Sequence, residues 1–367
     1  MNEQRPLNTN GKPVDRRLFI AGAGALAAIV AGGAAMLQER NAWGRRGQDS
    51  ATPTETSTPT VSPSTAVSGG AVWGLYHGMG SGWDRGDNDY MPLVGNAVPR
   101  TGISYYSVYD GDLPNAQDAE RVRRGTVPQI SLESKSYKYK PNVWTWRDIA
   151  AGKHDAAFRN FATKVGALGG TVMLCLDHEA DEYYLNGYRP GESPADYVAA
   201  WRHVKSVMAP LAPNAVWIWW AGGSADAVAK FYPGDGYVSL VGADAYRWPH
   251  HSSSDTPAIT WGRYWDRVNP VVGPDVPRAM TETSCDIKAH GVDAAVKWWS
   301  QVADTANDNN FRFVSFFSRS DDGDWTPFAS RENSDGSFTS YVKPGYEPVA
   351  EEIGRQIAKM SGTLNLK

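Results

Sequence analysis

Short apolar runs alternate with longer amphipathic segments all along residues 71–367. Runs of that kind, bounded by polar or glycine-containing breaks, predict strands over 72–76, 103–108, 127–132, 171–176, 215–220, 237–241, 278–281 and 311–317. Between them, Phe158, Phe161, Val165 and Leu168 recur at helical spacing and predict a helix over 155–168. Ser193 followed by Pro194 marks the start of another, running to Met208. Two more helices are predicted over 292–306 and 347–360. Eight strands, each followed by a helical or loop crossover within about 300 residues, predict an α/β fold, a (β/α)8 TIM barrel. A doubly wound sheet is the competing architecture, but it needs no eighth strand. Its usual glycine-rich phosphate loop has only a weak counterpart, Gly78-Met79-Gly80-Ser81-Gly82, where Trp83 stands in place of a helix start.

The first 70 residues break this pattern and are read separately. Arg16 and Arg17 stand directly before an uncharged, Ala/Gly-rich stretch over 18–38. A twin arginine in that place predicts a Tat export signal or N-terminal anchor over 1–40. The stretch is long enough to tether the protein to a membrane if it is left uncleaved. A Ser/Thr/Pro-rich linker over 41–70 follows, too polar to bury a core. The folded domain is then 71–367, and the protein is expected to be secreted or held at the cell surface. Cys175 and Cys285 are the only cysteines. Neither has a CxxC neighbour, so no zinc or redox site is expected. The net charge of −4 leaves no basic surplus for phosphates, which argues against nucleic acid as a partner.

With 15 Trp and 17 Tyr, nearly all beyond residue 70, the chain holds enough aromatics for sugar-binding surfaces or for a heavily aromatic core. In a (β/α)8 barrel, catalytic groups sit where strands end and loops begin. Those ends carry Glu133, Asp177-His178-Glu179, Asp244 with Tyr246, Glu282 and the 321–325 loop. Carboxylates with aromatics, and no set of metal ligands, suit acetal cleavage without a cofactor. One acid protonates the leaving oxygen while a second carboxylate attacks or stabilises the oxocarbenium centre.

At Leu176-Asp177-His178-Glu179 the chain comes to resemble glycoside hydrolase family 26, the β-mannanase family of clan A. An ordered series of motifs carries the resemblance, over roughly 71–345. It comprises Ile149-Ala150-Ala151-Gly152-Lys153-His154-Asp155, Tyr197-Val198-Ala199-Ala200-Trp201-Arg202-His203-Val204 and Asn214-Ala215-Val216-Trp217-Ile218-Trp219. Tyr232-Pro233-Gly234-Asp235 and Val241-Gly242-Ala243-Asp244-Ala245-Tyr246 continue it. The resemblance implies Glu179 as general acid/base and Glu282, in Met280-Thr281-Glu282-Thr283, as nucleophile of a retaining, endo-acting enzyme. It implies that His178 hydrogen-bonds the nucleophile or substrate, that Tyr246 lies against the nucleophile and that Trp325 stacks on the sugar. Asp181 and Asp244 complete the expected substrate-binding set. A polysaccharide or oligosaccharide is the expected partner, and the chain is expected to act as a monomer.

Two positions depart from the family. Its Arg four residues before the acid/base is Cys175 here, and its His-Glu-x-Asn is His178-Glu179-Ala180-Asp181. Cysteine cannot replace a charged, multiply donating guanidinium. The mannan preference is therefore open, and two alternatives stand beside hydrolysis. One is a carbohydrate-binding pseudoenzyme; the other is a cell-surface barrel displayed on its tether.

Overall fold

The computed structural model describes residues 70–77, 87, 90–108, 113–134, 144–223, 227–319, 323–334, 338–364 and 366. The expected export segment, the linker up to residue 69 and the glycine-rich stretch at 78–83 lie outside the described residues. Eight parallel strands close in sequence order into a barrel. They are β1 (Val72–His77), β2 (Thr101–Ser107), β3 (Val127–Glu133), β4 (Val172–Leu176), β5 (Ala215–Ala221), β6 (Leu240–Asp244), β7 (Arg278–Thr283) and β8 (Phe313–Ser318). Closure runs through β1 and β8, paired from Val72↔Phe313 to His77↔Ser318. All five residues of β4 are buried, which explains its unbroken apolar sequence: a parallel barrel strand is covered on both faces.

The helices are α1 (Ala116–Arg123), α2 (Trp146–Ala150), α3 (Asp155–Ala167), α4 (Ala180–Leu185), α5 (Pro194–Met208), α6 (Pro257–Val268), α7 (Ile287–His290), α8 (Val292–Trp299), α9 (Val302–Asp308) and α10 (Glu347–Lys359). Ser193 starts α5 as expected. Its side chain accepts from the Asp196 amide, and the Asp196 carboxylate accepts in return from the Ser193 amide. Tyr197, Ala200, Trp201, Val204, Val207 and Met208 then form the buried stripe of that helix.

Eleven of the 15 tryptophans are buried among the described residues, so most of the aromatic surplus is core.

Three sequence expectations are adjusted. Strand β6 begins at Leu240 rather than 237, because Asp235–Tyr237 forms a 3-10 turn. The helix expected over 292–306 is two helices, α8 and α9. The buried Gln356 of α10 fills the break, accepting from the Ala303 amide at 3.0 Å and donating to the Ser300 carbonyl at 3.2 Å. A hairpin of β9 (Phe328–Glu332) and β10 (Phe338–Val342) follows β8 and was not anticipated.

Candidate active site

The carboxyl end of β4 carries the most constrained backbone of the barrel mouth. Asp177 (φ +47°) and Glu179 (φ +51°) both adopt the left-handed conformation, which costs a non-glycine residue about 1–2 kcal/mol. Surrounding bonds hold the turn in place. The Asp177 carboxylate accepts from the Ser134 amide and hydroxyl at 2.7 Å each, from Trp146 Nε1 at 2.8 Å and from Arg189 at 2.8 Å. The Glu179 amide donates to the Trp220 carbonyl of β5 at 2.9 Å. Asp177, one of the strand-end carboxylates, is thus fully buried and spent on anchoring, while its neighbours His178 and Glu179 form the turn it anchors.

Glu282 is the next-to-last residue of β7 and lies opposite Asp244 of β6, at an irregularity in the ladder. It is 5% exposed, and two phenols donate to it: Tyr105 from β2 to Oε1, and Tyr246 to Oε2. Burial, followed by the charge of Glu282, pushes both phenols well above the usual tyrosine range, so they remain protonated donors. Hydrogen bonds of this kind stabilise an ionised carboxylate. Asp244 accepts from Thr281 Oγ1 at 2.8 Å and from Trp220 Nε1. Burial, then the charges of Glu282 and Glu179, raise its carboxyl far above the ordinary range. Both glutamates therefore act on one buried group. Expected as a substrate contact, Asp244 makes these bonds within the barrel end.

His178 lies 2.8 Å from Ser131 Oγ and 3.1 Å from Glu133 Oε1, both through Nδ1. Its ring packs on Tyr105, with centroids 4.7 Å apart, and on Trp220 at 5.1 Å. Through Tyr105, which donates to Glu282, the histidine is linked to that carboxylate.

Asp181 and Trp325 differ from their expected roles. Asp181 binds its own chain: its oxygens accept from the Gly222 and Gly223 amides at 3.0 and 2.8 Å. Gly223 sits at φ +65° with Tyr264 against its Cα, where a Cβ would lie 1.7 Å from the ring, so only glycine fits. Burial, then the charge of Glu182, lifts Asp181 to about 7. Trp325 is 2% exposed and packs against Tyr246 and Trp248, at centroid distances of 5.1 and 5.0 Å. It backs the tyrosine that donates to Glu282; of this ring cluster, Trp248 is the half-exposed member.

The sequence reading missed Tyr105 because it sought carboxylates at strand ends. The same inspection of the end of β2, at Tyr105-Tyr106, would have raised it. Also missed was Arg319, just beyond β8, which donates to the Tyr76 hydroxyl at 3.3 Å. Cys175, in the expected arginine position, is a buried free thiol, raised well above its usual range mainly by burial. Among the described residues, no three His, Cys, Asp or Glu side chains are grouped to hold a metal ion.

Residues 170–319, from the approach to β4 to just past β8, match the family model described as glycosyl hydrolase family 26. The span includes Glu179, Asp244, Tyr246 and Glu282, and the motif likeness read from the sequence is borne out there. A curated relative, endoglucanase H of Acetivibrio thermocellus, is 29% identical over 142 residues. That stretch is 36% of this chain, and the chain spans only 15% of the relative's length.

Solved family 26 structures share the barrel. One from Muricauda sp. has 15% identity and a TM-score of 0.55, covering 81% of this chain and 87% of its own. A β-mannanase from Bacteroides ovatus has 16% identity and a TM-score of 0.52, covering 78% and 88%. The catalytic domain of an endo-β-1,4-mannanase from Bacillus sp. JAMB-750 has 14% identity and a TM-score of 0.52, covering 80% and 88%. At these identities the likeness establishes the (β/α)8 fold.

Proposed function

We propose that this family 26 barrel is a retaining glycoside hydrolase that cleaves internal β-glycosidic bonds of a polysaccharide, with β-mannan the first substrate class to test. The observation that carries the reading is Glu282, held by two protonated phenols at the end of β7 while Glu179 ends the β4 turn. The ionised Glu282 attacks the anomeric carbon as Glu179 gives its proton to the departing glycosidic oxygen, leaving a glycosyl-enzyme ester. Glu179, now a carboxylate, takes a proton from water; the water attacks the anomeric carbon, and Glu282 leaves. Tyr105 and Tyr246 position the nucleophile in both steps.

β-Glucans are the second class, prompted by the stretch shared with an endoglucanase. Cys175 in place of the arginine favours one further reading, glycan binding without cleavage.

The test incubates the protein with mannans, β-glucans, xylans and bacterial cell-wall glycans, and follows the first-formed product anomer by NMR. Retained β-configuration is expected. Initial release of the α-anomer overturns the retaining assignment, and binding without any reducing-sugar release replaces hydrolysis with the binding reading.

Export is proposed on Arg16-Arg17 before the uncharged stretch 18–38. The mature protein would act as a monomer outside the cytoplasm, or tethered if the segment is retained. Changing both arginines to lysine is expected to leave the protein in the cytoplasm on cell fractionation. Normal export of the double variant would refute the twin-arginine route.

A further inference from the structure

The tops of β3 and β4 carry a charge arrangement that the two-glutamate chemistry does not use. Glu133, the last residue of β3, is completely buried, and its Oε1 lies 3.1 Å from His178 Nδ1. A buried carboxylate costs several kcal/mol unless a partner compensates it, and His178 is a basic group in contact with it. Ser131 Oγ, 2.8 Å from the same nitrogen, and the His178 amide donating to that hydroxyl at 3.2 Å fix the ring's place.

Among the described residues, the groups around the imidazole besides the Ser131 hydroxyl are aromatic faces and negative charges. Tyr105 comes from β2, Trp220 from β5 and Tyr183 from α4. The charges are Glu133 from β3, Glu179 on the same turn and Glu282 from β7. Burial opposes charging of the ring, but the Glu133 hydrogen bond and the three carboxylate charges outweigh it and raise its pKa. The position where the family resemblance expects an arginine holds the neutral Cys175. Arg319 is engaged with Tyr76.

We propose that Glu133 is a positioning residue whose contact with Nδ1 fixes His178 as a cation at this carboxylate-rich barrel end, the role the arginine expected at position 175 would otherwise fill. With Nδ1 committed to Glu133 and Ser131, Nε2–H is the one remaining ring donor for a sugar hydroxyl or a glutamate. The inference rests on the glycosidase reading for its kinetic consequences, and on the Glu133–His178 contact and the surrounding carboxylates for the state of the histidine.

The experiment compares wild type with Glu133→Gln, following ring titration of His178 by NMR in 15N-histidine-labelled protein. His178→Asn identifies its resonances among the seven histidines. The wild-type ring is expected to titrate above the ordinary 6.5, and the Gln variant at lower pH than wild type. On polysaccharide, Glu133→Gln should lose about tenfold in kcat at neutral pH with KM little changed. The alkaline limb of its profile should move to lower pH, because the cation is lost as pH rises through a lowered pKa. Glu133→Asp should recover part of the loss.

A wild-type ring titrating at or below 6.5, or identical titration in both proteins, overturns the proposal. An unchanged kcat pH profile in Glu133→Gln also overturns it. The titration needs no turnover, so it separates failure of this proposal from failure of the glycosidase reading. If Glu133→Gln does not fold, the wild-type titration alone decides.

Discussion

Glu282→Ala is expected to abolish turnover of every glycoside, activated or natural, because no glycosyl-enzyme ester can form without the carboxylate. Added azide should restore cleavage of aryl glycosides by attacking the anomeric carbon in the vacated space, giving a glycosyl azide of inverted configuration. The substitution also leaves two phenols, the half-buried Tyr105 and the buried Tyr246, without their acceptor. A lost partner for a buried donor costs about 1–3 kcal/mol, so a lower melting temperature should accompany the loss of activity. Glu282→Gln separates the two effects: it keeps an acceptor for the phenols and should melt closer to wild type while remaining inactive. Activity within tenfold of wild type in the alanine variant would show that another group is the nucleophile.

Glu179→Ala should fail differently. Natural polysaccharide needs a proton on its leaving oxygen, and general acid–base catalysis is worth about 10²–10⁴-fold, so a loss of at least about 10²-fold is expected. Aryl glycosides whose leaving group needs no proton should still form the covalent intermediate. That intermediate should then accumulate, because water has lost its general base, and mass spectrometry should detect the protein carrying one glycosyl unit. The local backbone bears on the choice of variant: Glu179 sits at φ +51°, where alanine is no easier to accommodate. Glu179→Gln is therefore the companion substitution for separating chemistry from folding. Full activity of both variants on polysaccharide would make Glu179 the wrong acid and direct attention to Glu133.

The strand pattern was legible because barrel strands such as β4 and β5 are covered on both faces and read as apolar runs, and because barrel chemistry gathers where strands end. Glu179, His178, Asp244, Tyr246 and Glu282 were placed at one end of the barrel by that logic, and the structure brings them together. What each carboxylate does there was not legible. Asp177 and Asp181 lie within four residues of one another around Glu179, and both turn inward to bind backbone amides and side chains of other loops. That outcome depends on the left-handed turn at 177–179 and on residues such as Ser134 and Gly223, distant in sequence. Tyr105 stood in view near the end of β2, but its pairing with Glu282, 177 positions away, was hidden. The break between α8 and α9 escaped for a similar reason, since Gln356 fills it from another helix. Trp325 read equally well as platform or as core until its neighbours were known.

The rings of Tyr246, Trp248 and Trp325 come from two loops, those after β6 and β8, and pack on one another at about 5 Å. The second loop is pinned further. Ser284 Oγ, just past β7, donates to the Trp325 carbonyl at 2.5 Å, and Lys343 reaches Asp324 and the Thr326 carbonyl from beyond β10. For anyone recombining this barrel with a relative, these two loops and the hairpin therefore make up a single exchangeable unit. A crossover point between residues 246 and 325 would split it. Chimeras that inherit Tyr246 from one parent and Trp325 from the other would misplace the phenol on Glu282 even though every catalytic residue is present.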